Sequence, residues 1–366
     1  MALFALLTII SVTLAWRAPV VDLACFGDKP HDDCDGAEGA LLLAASKTGG
    51  GAFILQGHGV DDSLIDNVFP SARRLFTAVD QLEKERLAIT GGGLTRGYVL
   101  LGGESGSDRQ EMKEAFSYGY DWHAEQSHFE NKLQGPNVWP SGINTEDKRI
   151  LNEWFEHATR IGLALSAAFA RATGQEALAS SCGPDGASIS LQRVFRYFAV
   201  EGNDRSGEKR IGSSPHTDWG FITIVLQQEG IDGLEVQDPE TGYYYPLPND
   251  RPSRIVVNVG DFASIMTGGK LYSPVHRVMP PLNAAERLSL VHFYYPNYNT
   301  TLEGFLNTDA AKRTSLLSDQ KEGGAAEWMN DEDAETMTFG DFISAKWGQV
   351  YRPVSSPAGV DDDEEL

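Results

Sequence analysis

The chain has 366 residues, of which 41% are hydrophobic, and a formal net charge of −22. This length and composition predict a globular protein, built as one large domain or as a core with flanking helical parts. A chain this acidic lacks the basic surface that a phosphate backbone requires, so nucleic acid is excluded as the expected partner.

The two ends of the chain differ from the rest. Residues 1–16 form an apolar leader that is shorter than a membrane span and has no basic residue before Arg17. Residues 354–366 form an acidic tail that ends in Asp363-Glu-Glu-Leu366. The leader resembles a signal segment and the last four residues resemble an ER-retention signal. These features leave the ER lumen open as a location, but a cytoplasmic protein without a stable membrane span is the favoured interpretation.

The chain has three cysteines, Cys25, Cys34 and Cys182, and this small, odd number does not predict a disulfide framework. Cys25 and Cys34 could pair with each other. Reduced thiols are nevertheless the expected state of all three.

Residues 17–185 are predicted to be a mostly helical N-terminal region that begins with short strands near 18–23 and 50–60. Apolar residues recur at helical spacing between residues 61 and 88, where Pro70 should break or kink the helix. The clearest helix covers residues 146–173, with Asn144 or Thr145 as its N-cap and Gly174 as its C-cap.

Residues 186–300 consist of short β-rich runs separated by glycine-containing turns, which is typical of an antiparallel jelly roll. The predicted strands are Leu191–Phe198, Phe221–Gln227, Leu234–Gln237, Tyr243–Leu247, Arg254–Val259, Phe262–Met266, Ser273–Val278 and Arg287–Tyr295. Residues 301–353 form a C-terminal segment whose last helix is predicted at Thr338–Tyr351. The sequence therefore predicts an α+β fold: a helical N-terminal region, a jelly-roll core and a flanking C-terminal helix.

Three metal-ligating residues occur in this β-rich core. His216 and Asp218 are two positions apart, so on a strand their side chains would point to one face, and His276 lies far enough along to return on another strand. Two histidines and one carboxylate form the facial triad of non-haem Fe(II) oxygenases. Three coordination positions then remain, enough for a bidentate 2-oxo acid and for O2. The cysteine positions exclude a thiolate-rich zinc site.

Arg287 and Ser289 are also two positions apart on a predicted strand. A guanidinium can hold a carboxylate through two parallel hydrogen bonds, and a hydroxyl can add a third. The pair therefore predicts a site for the far carboxylate of a dicarboxylic keto acid.

Each signal alone has a plainer explanation, since an HxD pattern is common, a strand arginine is usually exposed and a single histidine is usually a core residue. The order, the spacing and the β context together favour the functional interpretation.

Several motifs give the chain a family resemblance. They are Pro19-Val-Val-Asp22-Leu, Gly51-Ala-Phe53, His58-Gly-Val60, Arg96-Gly-Tyr98, Gly102-Gly-Glu104-Ser, Lys113-Glu-Ala-Phe116, His216-Thr-Asp218-Trp-Gly220, Val257-Asn258-Val-Gly260-Asp261, His276-Arg-Val278 and Arg287-Leu-Ser289. With them the chain resembles the 2-oxoglutarate- and Fe(II)-dependent dioxygenase superfamily, in the branch that includes isopenicillin N synthase.

This resemblance implies a double-stranded β-helix core in which His216, Asp218 and His276 match the iron ligands. It also implies that Arg287 and Ser289 bind the far carboxylate of 2-oxoglutarate. Tyr197 lies where the family often places a tyrosine that touches 2-oxoglutarate. One departure from the family pattern is that Phe195-Arg-Tyr-Phe198 replaces the usual Asn-Tyr-Tyr-Pro, which puts an asparagine contact in question.

The activity that the resemblance implies is oxidative decarboxylation of 2-oxoglutarate to succinate and CO2, coupled to hydroxylation or desaturation of a small organic substrate. Fe(II), 2-oxoglutarate and O2 would be required, and ascorbate is open as a reductant. Trp219, Phe293 and Tyr295 are candidates for an apolar wall near the substrate, or else ordinary core residues.

Two functions are alternatives to this activity: an Fe(II)-dependent oxidase that does not use 2-oxoglutarate and a non-enzymatic jelly-roll binding protein. The sequence leaves the oligomeric state open.

Overall fold

The computed structural model describes residues 16–27, 34–89, 95–104, 107–122, 133–183, 188–200, 209–251, 254–301 and 336–350. The apolar leader up to residue 15 and the acidic tail, both singled out in the sequence, lie outside these residues, as does most of the segment 301–353. None of the helices in the described ranges combines the length and the hydrophobicity that a membrane crossing requires.

The described chain alternates between short strands and helices. The strands are β1 (Val20–Asp22), β2 (Ala52–Gln56), β3 (Gly97–Val99), β4 (Gln110–Glu111), β5 (Lys113–Gly119), β6 (Leu191–Phe198), β7 (Arg210–Ile211), β8 (Ser213–His216), β9 (Ile222–Gln227), β10 (Leu234–Gln237), β11 (Tyr244–Pro246), β12 (Ile255–Val259), β13 (His276–Val278) and β14 (Glu286–Tyr294). The helices are a 3-10 turn (Leu23–Phe26), α1 (Ala37–Ala45), α2 (Asp62–Thr77), α3 (Gln81–Arg86), α4 (Thr145–Thr173), α5 (Ala177–Ser181), α6 (Asp261–Met266) and α7 (Phe339–Val350).

An eight-stranded sheet in the order β1-β2-β12-β9-β14-β6-β5-β3 forms the centre of the fold, and a four-stranded sheet in the order β11-β10-β13-β8 accompanies it. The first two strands pair in parallel, whereas the other neighbours in the large sheet are antiparallel. β1, β2, β3 and β5 come from the N-terminal region. That region therefore supplies half of the large sheet as well as most of the helices, and the α+β jelly-roll prediction is confirmed.

The large sheet is buried on both faces. One face packs against a core that includes Trp154 and Leu165 of α4, and the other shares a smaller apolar cluster with Val236 and Val278 of the four-stranded sheet. Strands covered on both faces read as continuous apolar runs rather than as alternating patterns. This explains why Ile255–Val259 and Ile222–Gln227 are buried throughout.

The long helix α4 confirms the prediction for residues 146–173. The side chain of Asn144 accepts a hydrogen bond from the backbone N–H of Asp147 at 2.8 Å, which satisfies one of the free donors of the first turn. Gly174 ends the helix with φ of 71°, a left-handed conformation that glycine adopts at no steric cost.

The sequence predicted that Pro70 would break or kink a helix, and the break does not occur. α2 runs through it from Asp62 to Thr77. Pro70 is exposed, so water can satisfy the carbonyl that loses its helical partner, while Leu64 and Leu75 hold the opposite face in the core.

The strand predicted at Phe262–Met266 is wrong, because these residues belong to α6. Every residue of α6 is buried, so the run shows no amphipathic pattern, and a short apolar run does not distinguish a strand from a buried helical turn. The backbone N–H of Ser264 bonds to the carbonyl of Gly260 at 3.1 Å, which closes the first turn of the helix.

The expectation of reduced thiols is wrong for two of the three cysteines. A disulfide joins Cys25, in the 3-10 turn that follows β1, to Cys34, and their Cα atoms are 5.2 Å apart. This separation lies within the range that a disulfide spans. Cys182 is a buried free thiol. The cysteine count carried no information about this pairing, because the approach of the two residues depends on the fold and not on the number of cysteines.

We expect the purified, unreduced chain to take up one equivalent of iodoacetamide after denaturation, on Cys182, and three equivalents after reduction. Mass spectrometry of the intact protein and of its peptides measures both values. Three equivalents without reduction would show that the bond between Cys25 and Cys34 does not form. A Cys182→Ser variant serves as the control and should lose one label from either count.

Candidate metal and co-substrate site

His216 and His276 lie opposite each other on neighbouring strands. His216 is the last residue of β8, His276 is the first residue of β13, and the two form a cross-strand pair. Their ring centroids are 4.3 Å apart. The strand prediction missed β8, yet this strand positions the first of the two histidines.

Asp218 reaches the two histidines from the loop after β8 rather than from a strand, which corrects the expected strand alternation. β8 ends at His216, and the carbonyl of Asp218 accepts a hydrogen bond from the N–H of Asp261 at 2.7 Å. One carboxylate oxygen of Asp218 lies 3.8 Å from Nε2 of His216, and the other lies 3.7 Å from Nε2 of His276. The chain therefore brings all three predicted residues together.

Both imidazoles turn Nε2 toward this centre. Nδ1 of His216 is 2.7 Å from the carbonyl of Ser214, and Nδ1 of His276 is 3.2 Å from the carbonyl of Pro274. A carbonyl only accepts, so each Nδ1 carries a hydrogen, and a neutral imidazole in this tautomer has its lone pair on Nε2. Burial and the neighbouring His276 lower the pKa of His216 to about 4, so this imidazole is neutral at pH 7.

The carboxylate of Asp218 is ionised. Burial opposes its charge, but the two imidazoles and hydrogen bonds from Asn258 and Thr223 outweigh that effect and lower the pKa of Asp218. Nδ2 of Asn258 donates to one oxygen of Asp218 at 2.8 Å, which fixes the orientation of the carboxylate.

One potential ligand atom from each of the three residues lies within 4.8 Å of the other two. Two imidazoles and one carboxylate form a donor set that suits a divalent first-row transition metal. A cation here would also balance the buried charge of Asp218. The residues present therefore fit Fe(II).

Arg287 lines the same cavity and is 1% exposed. Its Nε donates to the carbonyl of Ile231 at 3.2 Å and its Nη2 donates to Gln227 at 2.8 Å, whereas Nη1 has no partner among the described residues. A Cβ at Gly233 would lie 3.3 Å from Cδ of Arg287, so glycine leaves room for this side chain. A buried guanidinium nitrogen without a partner fits an anionic ligand.

Ser289 and Tyr197 lie beside the guanidinium. Tyr197 on β6 pairs with Arg287 on β14, and the Arg287 guanidinium lies 5.4 Å from the centroid of the Tyr197 ring. Tyr197 also hydrogen-bonds to Ser289, although burial is the larger influence and raises the pKa of the Tyr197 hydroxyl. The three residues that the sequence associated with a distal carboxylate therefore form one cluster.

Trp219, Phe293 and Tyr295, the candidates for an apolar wall, all line the cavity. His292, between Val291 and Phe293, points to the other side of the sheet and packs against Phe155 of α4 with 5.0 Å between ring centroids. The sequence alone did not determine which face of the sheet His292 points to.

Four charged residues that line the cavity were given no site role from the sequence, although Glu104 and Lys113 lie in motifs that carry the family resemblance. They are Glu104, Glu111, Lys113 and Arg193. One signal could have identified Arg193, because the two-residue period of β6 places Arg193, Phe195 and Tyr197 on the same face. The partners of Arg193 come from distant parts of the chain and leave no local pattern.

Comparison with known families gives two matches that together cover most of the described chain. The sequence model of the 2OG-Fe(II) oxygenase superfamily matches residues 189–296. The model described as the N-terminal region of non-haem dioxygenases in morphine synthesis matches residues 18–142.

Curated relatives come from fungi, among other organisms. A 2-oxoglutarate-dependent dioxygenase of Penicillium crustosum, traH, is 31% identical over 252 residues, which cover 67% of this chain and 74% of that protein. The clavatol oxidase claD of the same fungus is 31% identical over 307 residues, which cover 76% of this chain and 86% of that protein.

Solved structures share the fold at lower identity. A full-length protein of Neurospora crassa in complex with alpha-KG has a TM-score of 0.71 and 20% identity, and the match covers 92% of this chain and 98% of that one. The Arabidopsis thaliana dioxygenase for auxin oxidation in its 2-oxoglutarate complex has a TM-score of 0.60 and 22% identity, covering 81% of this chain and 99% of that one.

We expect the substitution Asn258→Ala to weaken binding of Mn(II), used as a redox-stable probe of the metal site, by roughly 10- to 100-fold. The reason is that Asp218 would lose the hydrogen bond that orients its carboxylate. Isothermal titration calorimetry measures the affinity. Asn67→Ala, which removes an exposed amide bonded to the carbonyl of Ser63, serves as the control and should bind as the unmodified chain does. Equal affinities of the Asn258→Ala variant and the control would contradict the positioning role.

Proposed function

The chain belongs to the 2OG-Fe(II) oxygenase superfamily, and from this premise we propose that His216, Asp218 and His276 bind its Fe(II). The observation that carries this assignment is the convergence of two imidazoles and one carboxylate in one cavity, with a potential ligand atom of each within 4.8 Å of the others. The hydrogen bonds of the two Nδ1 atoms hold both rings so that Nε2 faces the centre. Coordination would then require no change of tautomer at either histidine.

Arg287, Ser289 and Tyr197 are proposed to hold the distal carboxylate of 2-oxoglutarate. Nη1 of Arg287 supplies a charged donor without a partner in the described structure, and the hydroxyls of Ser289 and Tyr197 lie beside it. A buried guanidinium stabilises a carboxylate strongly because few water molecules compete for either group. This observation favours 2-oxoglutarate over an oxidase chemistry that dispenses with it.

The reaction is the coupling of 2-oxoglutarate decarboxylation to the hydroxylation or desaturation of a small organic substrate. Bound Fe(II) and 2-oxoglutarate supply the oxidising chemistry, with O2 consumed and succinate and CO2 formed. The chain's own contribution is to bind, to orient and to exclude water. Val225, Val291 and Phe293 line the cavity and provide apolar surface for that purpose.

A small organic substrate is supported by the relatives. Another structure of the Neurospora crassa protein is a complex with alpha-KG and thymine, a single-ring molecule. The cavity of the present chain has aromatic residues, among them Trp219 and Tyr295, beside the proposed metal site. These residues are suited to contact a compact ring.

The first test of this function is succinate formation. We expect the chain supplied with Fe(II) and 2-oxoglutarate in air to form succinate, slowly even without a prime substrate, and the His276→Ala variant to form none above background. Loss of one of three ligands should remove metal binding, while the circular dichroism spectrum stays unchanged.

His157→Ala is the matched control, because His157 lies half-buried on α4 outside the cavity. It should form succinate at the unmodified rate. Full activity of the His276→Ala variant would overturn the ligand assignment, and absence of succinate from the unmodified, metal-loaded chain would favour one of the two alternative functions.

A second test addresses the distal carboxylate. We expect Arg287→Ala to raise the 2-oxoglutarate concentration needed for half-maximal succinate formation by on the order of 100-fold, since a charge-assisted pair is lost. The variant should also lose the preference for 2-oxoglutarate over 2-oxobutyrate, which has no distal carboxylate. Arg254→Ala, which removes an arginine paired with Asp250 outside the cavity, is the control. An unchanged preference in the Arg287→Ala variant would exclude Arg287 from the site.

A further inference from the structure

Two ion pairs line the same cavity as the proposed metal and 2-oxoglutarate sites. In the first pair, Nη1 and Nη2 of Arg193 each donate to one carboxylate oxygen of Glu104 at 3.2 Å. The side chains are 4% and 9% exposed. Such a pair lies far from bulk water, so its charges are weakly screened.

The guanidinium of Arg193 is held in place by its surroundings. Its carbon lies 5.0 Å from the ring centroid of Phe195 and 5.2 Å from that of Trp347, and Nε donates to Ser117 at 3.1 Å. Stacking against aromatic rings and a bidentate carboxylate are the contacts that suit an arginine best. Since Trp347 belongs to α7, the C-terminal helix completes this side of the cavity.

The second pair joins Lys113 to Glu111, with Nζ 2.7 Å from the carboxylate. Burial opposes the charge of Glu111, but Lys113 and the N–H of Ser214 lower the pKa of Glu111 to about 2. Burial likewise opposes the charge of Lys113, and Glu111 with Glu104 nevertheless raises its pKa. Both partners are therefore charged at pH 7, and the four residues together carry no net charge.

We propose that the charge-compensated wall formed by Arg193, Glu104, Lys113 and Glu111 selects an uncharged, ring-containing substrate. A hydroxyl or amide group of this substrate bonds to the pair of Arg193 and Glu104. The inference rests on the proposed function and adds a substrate class to it. The aromatic rings of Phe195 and Trp347 contact the ring of the substrate, and the pair fixes its polar end.

Electrostatics gives the reason for this selectivity. A substrate carboxylate beside Arg193 also lies beside Glu104, whose charge repels it, and a substrate ammonium beside Glu104 meets the same repulsion from Arg193. At this burial neither repulsion is relieved by solvent. A neutral dipolar group can accept from the guanidinium and donate to the carboxylate at the same time, so the wall discriminates against both signs of charge.

Three fragments of similar shape test the proposal: benzamide, benzoate and benzylamine. Binding to the full chain loaded with Mn(II) and 2-oxoglutarate is measured by quenching of tryptophan fluorescence and by ligand-observed NMR, neither of which needs turnover. We expect benzamide to bind at least tenfold more tightly than either charged fragment. Binding of benzoate or benzylamine as tight as that of benzamide, or no binding of any of the three, would overturn the proposal.

Variants assign the selectivity to named residues. We expect Glu104→Gln to improve the affinity for benzoate relative to benzamide at least tenfold, and Arg193→Gln to do the same for benzylamine. Arg149→Gln, which removes an exposed arginine paired with Glu146 on α4, should leave the three ratios unchanged. Unchanged ratios in both wall variants would overturn the assignment.

Removing one partner of a buried pair leaves an uncompensated charge and can prevent folding. The double variant Glu104→Gln with Arg193→Gln removes both charges together, and in it we expect the three affinities to differ by less than about threefold. Retention of the original tenfold preference would contradict the proposal. Succinate formation by the unmodified chain is measured in parallel: succinate without fragment selectivity overturns this inference alone, whereas absence of succinate overturns the proposed function.

Discussion

The alternation of side chains along β14 is the constraint on which the rest of the structure depends. Arg287, Ser289, Val291 and Phe293 face the cavity, whereas Leu288 and Leu290 belong to the core on the helical side. β14 has antiparallel partners on both edges, β6 and β9, which fix its register. A slip by one residue would turn the guanidinium of Arg287 into the apolar core and expose leucines to the cavity. Burial of both faces makes such a slip costly.

A second constraint is the separation of charge within the cavity. The chain is strongly acidic as a whole, yet each charged group in the cavity other than Arg287 and the proposed metal ligands is neutralised by a partner at its side. Among the described residues that line the cavity, charge therefore remains available only where an ionic ligand is proposed, on the carboxylate with its two imidazoles and on the guanidinium. Apolar and aromatic residues such as Val225, Phe293 and Trp219 supply the rest of the lining. This division lets one pocket accept a metal and a dianion without attracting other ions to the substrate position.

The sequence predicted features that depend on local periodicity or on chemically distinctive side chains. α4 and β6 were predicted from their patterns, and His216, Asp218, His276, Arg287 and Ser289 from their types and spacing. β8 was missed because Pro215 interrupts a short run that has no alternation. α6 was taken for a strand because a fully buried run of six residues has no period to read. Tertiary contacts decided both cases.

Long-range partners were beyond prediction from one sequence. Glu104 lies in a loop and Arg193 lies in β6, and nothing near either residue indicates that they meet. The same holds for the disulfide between Cys25 and Cys34, where the residue types permitted pairing but the fold decided it. The proposed metal and 2-oxoglutarate residues could therefore be predicted from their spacing in the sequence. The pair of Arg193 and Glu104, which is proposed to set the choice of substrate, could be found only in the structure.

The most direct measurement is a crystal structure of the chain grown anaerobically with Mn(II) and 2-oxoglutarate. We expect one metal ion bound by Nε2 of His216, a carboxylate oxygen of Asp218 and Nε2 of His276. We also expect the distal carboxylate of 2-oxoglutarate to bind Nη1 of Arg287. A metal ion held elsewhere, or a 2-oxoglutarate carboxylate seated on Lys113 or Arg193 with Arg287 unoccupied, would contradict this expectation.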